Sequence, residues 1–199
     1  MVGAVRVPDE RDKQSWRAAI LARRAELPEP VRRAEATALA AAVQQLDRTE
    51  WVCGYIPLSD EPGSVAMLDA LRTAGSRVLV PVTGTPGPLR WAEYTGMDTL
   101  RPARFGLLEP SGQSLGPEAL SRAGLILVPA LGVDQRGVRL GRGAGYYDRT
   151  LGAVTPDTRL VVVVRDEEIV PWLPEEQHDI RMHWALTPDA GLRRLDRTD

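Results

Sequence analysis

The chain has 199 residues, 43% apolar and 26% charged, with a formal net charge of -2 from 25 basic and 27 acidic side chains. That size and composition fit one folded domain with an ample core and argue against disorder. The balanced charge argues against a general pull toward nucleic acid or an anionic membrane.

Cys53 is the only cysteine, and His178 and His183 are the only histidines, which excludes an internal disulfide, a zinc cluster and a His-rich metal site. The apolar runs, such as 124–128 and 160–164, are far too short to span a bilayer. The opening MVGAVRVPDERDK lacks the apolar centre of a signal peptide. A soluble, cytoplasmic and monomeric protein is expected.

In chain order, a helix is expected over residues 12–25, where Trp16 and Ile20 share one face, with Pro28 and Pro30 breaking it. A second helix follows over 31–46, with Ala36, Leu39, Val43 and Leu46 at helical spacing. The apolar run 51–56 reads as a buried strand ended by Pro57. Residues 64–73 read as a helix, 77–80 as a strand stopped by Pro81, and 89–94 as an edge strand. Residues 124–128 form the next strand, stopped by Pro129; 145–151 open a helix; 159–164 and 184–187 are the last strands. Apolar strands separated by helices indicate a parallel sheet covered on both faces. The expected fold is therefore α/β: a three-layer α/β/α sandwich, one domain over residues 1–199, with a mainly parallel sheet and an N-terminal helical pair. In such sheets ligands bind beyond the carboxyl ends of the strands.

Of the 25 basic residues 24 are arginine, and the one lysine is Lys13. Either this is chance, or the lysine stands where a compact ammonium is needed. The richest segment is Arg139-Leu140-Gly141-Arg142-Gly143-Ala144-Gly145-Tyr146-Tyr147-Asp148-Arg149. Alternate glycines let backbone amides approach a ligand, and the start of a helix adds unpaired N–H groups. Arg139, Arg142 and Arg149 add positive charge, which makes a candidate polyphosphate cradle. Asp148 beside it suits a magnesium ion. A Gly-rich surface turn with charge pairs is the alternative. The spacing is neither the Rossmann fingerprint nor Walker A.

With its Tyr-Tyr-Asp-Arg ending, this segment resembles the signature of the 5-formyltetrahydrofolate cyclo-ligase family. Four further blocks resemble it in order: Lys13-Gln14-Ser15-Trp16-Arg17 with Arg23-Arg24; Tyr55-Ile56-Pro57 with Asp60-Glu61; Phe105-Gly106-Leu107-Leu108-Glu109-Pro110; and Leu173-Pro174 with His178-Asp179. Members bind ATP, magnesium and 5-formyltetrahydrofolate, and form 5,10-methenyltetrahydrofolate, ADP and phosphate. The resemblance implies an ATP site made of residues 13–17 and of Arg139, Leu140, Gly141, Arg142, Gly143, Ala144, Gly145, Tyr146 and Tyr147. It implies a folate site made of Ile56, Glu61, Phe105 and residues 142–146. Lys13, Arg139, Arg142 and Tyr147 would be catalytic, and Asp148 and Asp179 would hold magnesium.

Taken alone, Glu61 also reads as a helix N-terminal acid, Phe105 as a core aromatic and Asp179 as a loop carboxylate. The chain departs from the family pattern at Glu168, where Gln is frequent, and at Ala144, where Gly or Lys is frequent. Ser64 stands in for the family's Thr after Glu61. A non-catalytic folate-binding protein, or an isomerase or CoA-transferase-like enzyme on a related scaffold, are the competing readings. The first needs no phosphate or metal groups, and the second needs a dedicated carboxylate motif that the chain lacks.

Overall fold

A computed structural model of the chain describes residues 12–82, 87–103 and 108–196. These form α1 (Lys13–Glu26), α2 (Glu29–Ala42), β1 (Trp51–Cys53), α3 (Ala66–Thr73), β2 (Arg77–Val82), β3 (Arg90–Tyr94), β4 (Leu100–Pro102) and β5 (Leu108–Pro110). There follow β6 (Leu125–Pro129), β7 (Gly132–Asp134), β8 (Arg139–Leu140), α4 (Tyr146–Leu151), β9 (Arg159–Val163), β10 (Ile169–Val170), β11 (Trp184–Thr187) and β12 (Gly191–Arg194).

The main sheet has the order β12-β11-β9-β6-β1-β2-β3. Its inner pairs are parallel, and an antiparallel strand closes each edge. From β1 the chain builds outward through β2 to β3, then returns to place β6 on the other side of β1. The crevice between the ends of β1 and β6 is therefore a topological switch point, the usual place for a ligand in an open α/β sheet.

One sheet face packs Val52, Val78, Leu125, Leu127 and Val163 against Leu39 and Val43 at the end of α2 and Met67 and Leu68 of α3. The other packs Cys53, Ile126, Val128 and Val162 against Ala119, Leu120 and Leu151. The expected three layers are thus present. The two N-terminal helices also form, but they serve different cores. Trp16 and Ile20 of α1 pack on Leu131, Val138, Leu140 and Val170, around a small separate sheet of order β10-β7-β8.

Local chemistry sets the element ends. The Asp12 carboxylate accepts from the amides of Gln14 and Ser15 at 2.9 and 3.0 Å, capping α1. Pro30 was expected to break a helix. Instead it occupies the first turn of α2, where its missing N–H leaves no bond unmade. Pro81 was expected to stop a strand, yet β2 continues to Val82. Beyond Leu79 that strand pairs only with β3, so the proline sits on an open side where no ladder donor is required. β11 forms at the expected residues 184–187, but its hairpin partner β12 and the strands β7, β8 and β10 were not anticipated. They are two to four residues long, and β12 is largely exposed, so neither length nor apolar pattern marks them.

Gly137 closes the turn between β7 and β8 at φ 89°, and a Cβ there would lie 2.3 Å from the Met182 carbonyl oxygen. Its own carbonyl accepts from the Met182 amide at 2.7 Å, tying this hairpin to the segment before β11. Gly137→Ala is expected to destabilise the fold by about 2 kcal/mol, lowering Tm by roughly 4–8 °C in thermal denaturation. Gly112→Ala, whose Cβ would meet nothing closer than 3.9 Å, is the control and should melt as the parent does.

Candidate functional site

A cavity of about 1030 Å³ opens at the switch point. Its wall includes the start of α1, the turn after β1, the Gly-rich stretch from β8 into α4, and the segment from Pro174 to Asp179, with residues 87–90 and 129–130 adding to it. Lys13, Gln14, Arg17, Ile56, Glu61, Asp179 and every residue from Arg139 to Asp148 line it. Ser15 and Trp16 do not. The Ser15 hydroxyl donates to Asp12 at 2.6 Å, and the Trp16 ring is buried in the core under α1. Helical periodicity explains this: Lys13 and Arg17 share a face that Ser15 and Trp16 do not. Phe105 lies outside the described residues.

The Gly-rich stretch takes its shape from two left-handed glycines, Gly143 at φ 101° and Gly145 at φ 67°. Gly145 caps the six-residue α4. Arg17 donates Nε to the Gly141 carbonyl at 2.9 Å, joining α1 to the loop. Arg149 folds back from α4, donates to the Ala144 carbonyl at 2.8 Å, and stands over the Tyr146 ring at 5.3 Å.

Three of the cations that line the cavity, Lys13, Arg139 and Arg142, have carboxylate partners. Lys13 Nζ lies 2.9 Å from Asp179 and 3.5 Å from Glu176. Arg139 pairs with Asp148 and donates Nη1 to the Ile180 carbonyl at 2.6 Å. Burial pulls the pKa of Arg139 down, and the charges of Asp148 and Asp179 oppose that pull. A guanidinium remains protonated regardless. Arg142 donates Nη2 to both oxygens of Asp60 at 2.6 and 2.7 Å, and Nε to Glu61 at 3.1 Å. Burial works to raise the pKa of Asp60, but the hydrogen bond and charge of Arg142 outweigh it, and the carboxyl ends below its usual range.

Tyr147 is half-buried, and its buried hydroxyl has no hydrogen-bond partner among the described residues. Burial first, and the charge of Glu61 second, push its pKa well up, so it is a proton-bearing donor at neutral pH. Cys53 is also buried, and burial raises its thiol pKa, so no thiolate nucleophile is available.

For a cation the candidate donors are two carboxylates and one imidazole nitrogen. Glu176, His178 and Asp179 hold ligand atoms within 4.8 Å of one another. Asp148 pairs with Arg139 rather than joining that group, although Asp148 and Asp179 both act on Arg139. Carboxylate oxygens are the hard ligands that suit magnesium arriving with a polyphosphate. Sequence reasoning had not marked Asp60 and Glu176. Asp60 stood beside Glu61 in its block, but nothing in the local pattern shows that it meets Arg142.

A family profile described as the 5-formyltetrahydrofolate cyclo-ligase family matches residues 9–188. The chain is 45% identical to the 5-formyltetrahydrofolate cyclo-ligase of Mycolicibacterium smegmatis over 191 residues, covering 93% of this chain and 98% of the relative. It is 31% identical to the enzyme of that description from Escherichia coli, covering 69% of this chain and 77% of the relative. The NMR structure of Aquifex aeolicus 5,10-methenyltetrahydrofolate synthetase superposes with a TM-score of 0.76 at 26% identity, covering 94% of each chain.

The Arg139–Asp148 pair supplies the prediction for this site. Asp148→Asn keeps size and one acceptor oxygen but leaves a buried guanidinium short of one negative charge. Asp148 is 26% exposed, so solvent softens the loss. The expected destabilisation is about 1–3 kcal/mol, read as a lower urea midpoint at unchanged m-value. An unchanged midpoint would show that Asp179 alone balances Arg139.

Proposed function

The chain belongs to the 5-formyltetrahydrofolate cyclo-ligase family, and from that premise we propose that it converts 5-formyltetrahydrofolate to 5,10-methenyltetrahydrofolate with consumption of ATP and a requirement for magnesium. One observation carries the reading: the phosphate-type cations Lys13, Arg17 and Arg139 and the acceptor Glu61 line one cavity, with the Gly-rich loop between them.

The formyl oxygen is a poor leaving group. Transfer of the γ-phosphoryl group of ATP onto it breaks the β–γ phosphoanhydride bond, forms a carbon–oxygen–phosphorus linkage and releases ADP. The folate N10 then attacks the formyl carbon, the five-membered ring closes, N10 gives up its proton to the phosphate oxygens, and the C–O bond breaks with loss of phosphate. No covalent enzyme nucleophile is needed, in keeping with the buried, protonated Cys53.

The residues here position and neutralise. Lys13, the single ammonium, is a point charge that can follow the γ-phosphoryl group as it moves. Arg139 sits rigidly on the Ile180 carbonyl and offers a fixed charge beside it. Gly143 and Gly145 bring backbone amides to the phosphates, with Gly141, Ala144 and Tyr146 completing the wall. Ile56 and Glu61 take the folate, Glu61 accepting from the amine and amide N–H groups of the pterin. The Tyr147 hydroxyl is a donor with no partner of its own at the cavity wall. Asp148 and Asp179 would hold magnesium, which when bound neutralises phosphate charge during transfer. Arrival of the triphosphate gives Lys13 and Arg139 a new anion and frees those carboxylates for the metal. A cytoplasmic, monomeric enzyme that binds neither nucleic acid nor membrane remains part of the proposal. No described helix is long and apolar enough to cross a membrane.

The direct test mixes purified protein with 5-formyltetrahydrofolate and follows methenyl absorbance. Formation is expected only when both ATP and magnesium are present, and equal turnover without ATP removes the ligase reading. Lys13→Ala is expected to cost about 2–4 kcal/mol of transition-state stabilisation, or roughly 30- to 1000-fold in rate, with the fold intact by circular dichroism. Lys13→Arg should restore only part of it, because a planar fork replaces a point charge. Wild-type kinetics for Lys13→Ala across ATP concentrations would make Lys13 a bystander.

A further inference from the structure

Behind the cavity lies a set of buried ions that no step of the proposed reaction uses. Arg24 of α1 donates Nε and Nη2 to the two oxygens of Glu168, each at 2.7 Å, and Nη2 also to the Ala130 carbonyl at 2.8 Å. Glu168 accepts in turn from the Arg165 amide at 2.9 Å. The Arg165 guanidinium holds Glu35 of α2 through Nε at 2.9 and 3.0 Å. Its Nη1 reaches forward to the backbone carbonyl of Asp60 at 3.2 Å. The Asp60 carboxylate is the one that holds Arg142 bidentately.

Buried ion groups contribute little net stability, because desolvation offsets their attraction, and their better-attested use is to fix one arrangement. Here the fixed object is a turn in the cavity wall. Residues 58–61 close on themselves: the Glu61 amide donates to the Leu58 carbonyl at 3.0 Å, and the Leu58 amide donates to the Glu61 carboxylate at 3.0 Å. Arg165 ties that turn to the interior. The turn in turn restrains Arg142, a long side chain at the cavity rim that would otherwise sample many rotamers. Nη2 on the Asp60 carboxylate and Nε on Glu61 together set the position and the plane of the guanidinium.

We propose that Asp60, held by Arg165, is a positioning residue that aims Arg142 across the cavity, acting through that arginine and not on the substrates. The proposal rests on the reading that Arg142 serves the ATP- and folate-binding loop. The buried cations are then a rigid mount, and the chain of contacts Glu168–Arg165–Asp60–Arg142 carries their rigidity to the loop.

The test is a double-mutant cycle on the full chain, with 5-formyltetrahydrofolate and magnesium-ATP as substrates. Asp60→Asn keeps size and one acceptor but loses the charged fork. Arg165→Lys keeps a charge for Glu35 but lacks the second arm that reaches Asp60. Each is expected to lower kcat/KM about tenfold, and the double variant no further than the worse single, since both break one chain of contacts. Multiplication to about a hundredfold overturns the proposal, as does an unaltered Asp60→Asn enzyme. If Arg165→Lys does not fold, Glu35→Gln takes its place in the cycle by loosening Arg165 without removing it. A readout independent of turnover is the Arg142 Nη2–Hη2 resonance, from the nitrogen that donates to Asp60. It should be slow to exchange in the parent chain and averaged in Asp60→Asn, and equal behaviour in both overturns the proposal. A parent protein without ATP-dependent turnover would defeat the functional reading alone, with this resonance still deciding the positioning role.

Discussion

A guanidinium taken out of water has to be met by an opposite charge and by acceptors for its N–H groups. Arg24 finds both in Glu168 and the Ala130 carbonyl, and that requirement places α1. The helix packs on the small sheet through Trp16 and Ile20, an apolar contact that by itself fixes little in rotation. The ion pair at its far end leaves one orientation in which the last turn meets the end of β6. In that orientation the first turn, three turns of helix away, presents Lys13 and Arg17 to the cavity. A contact buried at one end of a rigid rod thus determines where two charges stand at the other.

The cavity itself shows the same economy in its charges. Lys13, Arg139 and Arg142 are each aimed by a carboxylate before any ligand arrives. Such pairing removes most of the reorientation that phosphate binding would otherwise demand. It also makes the carboxylates exchangeable. In the proposed reaction a triphosphate outcompetes a single carboxylate for a cation by charge alone, and the displaced acids stand ready as oxygen ligands.

Much of this was legible in the sequence because its causes are local. Alternating helices and wholly apolar strands imply a covered parallel sheet, and such a sheet puts its ligand at strand ends. The loop Gly141–Gly145 announces itself by spacing, and Lys13 by standing alone among arginines. What escaped is what distance in the chain conceals. Arg165 and Asp60 are 105 residues apart, and Arg142 and Asp60 are 82 apart. Arg142 stands out in its loop, but Asp60 and Arg165 read as ordinary surface charges until the fold joins them. The short strands β7, β8 and β10 escaped for another reason. Gly132, Val133, Arg139 and Leu140 carry too few residues to show a period.

Position 168 shows how a departure from the family pattern becomes intelligible once charges are counted in space. Glutamine is frequent there, and its amide could still accept from the Arg165 amide and from one arm of Arg24. In this chain Arg24 and Arg165 are both buried, with Glu35 beside one and Glu168 between them. Two cations and two anions make the group neutral. A glutamine would leave a positive excess in the interior, where an unmatched charge costs several kcal/mol. The glutamate therefore answers to two buried arginines rather than to a ligand, which explains why it faces away from the cavity and does not line it. A difference that looks catalytic in a one-dimensional comparison is, in three dimensions, the counter-charge of the mount that holds α1 and, through Arg165, the turn bearing Asp60 and Glu61.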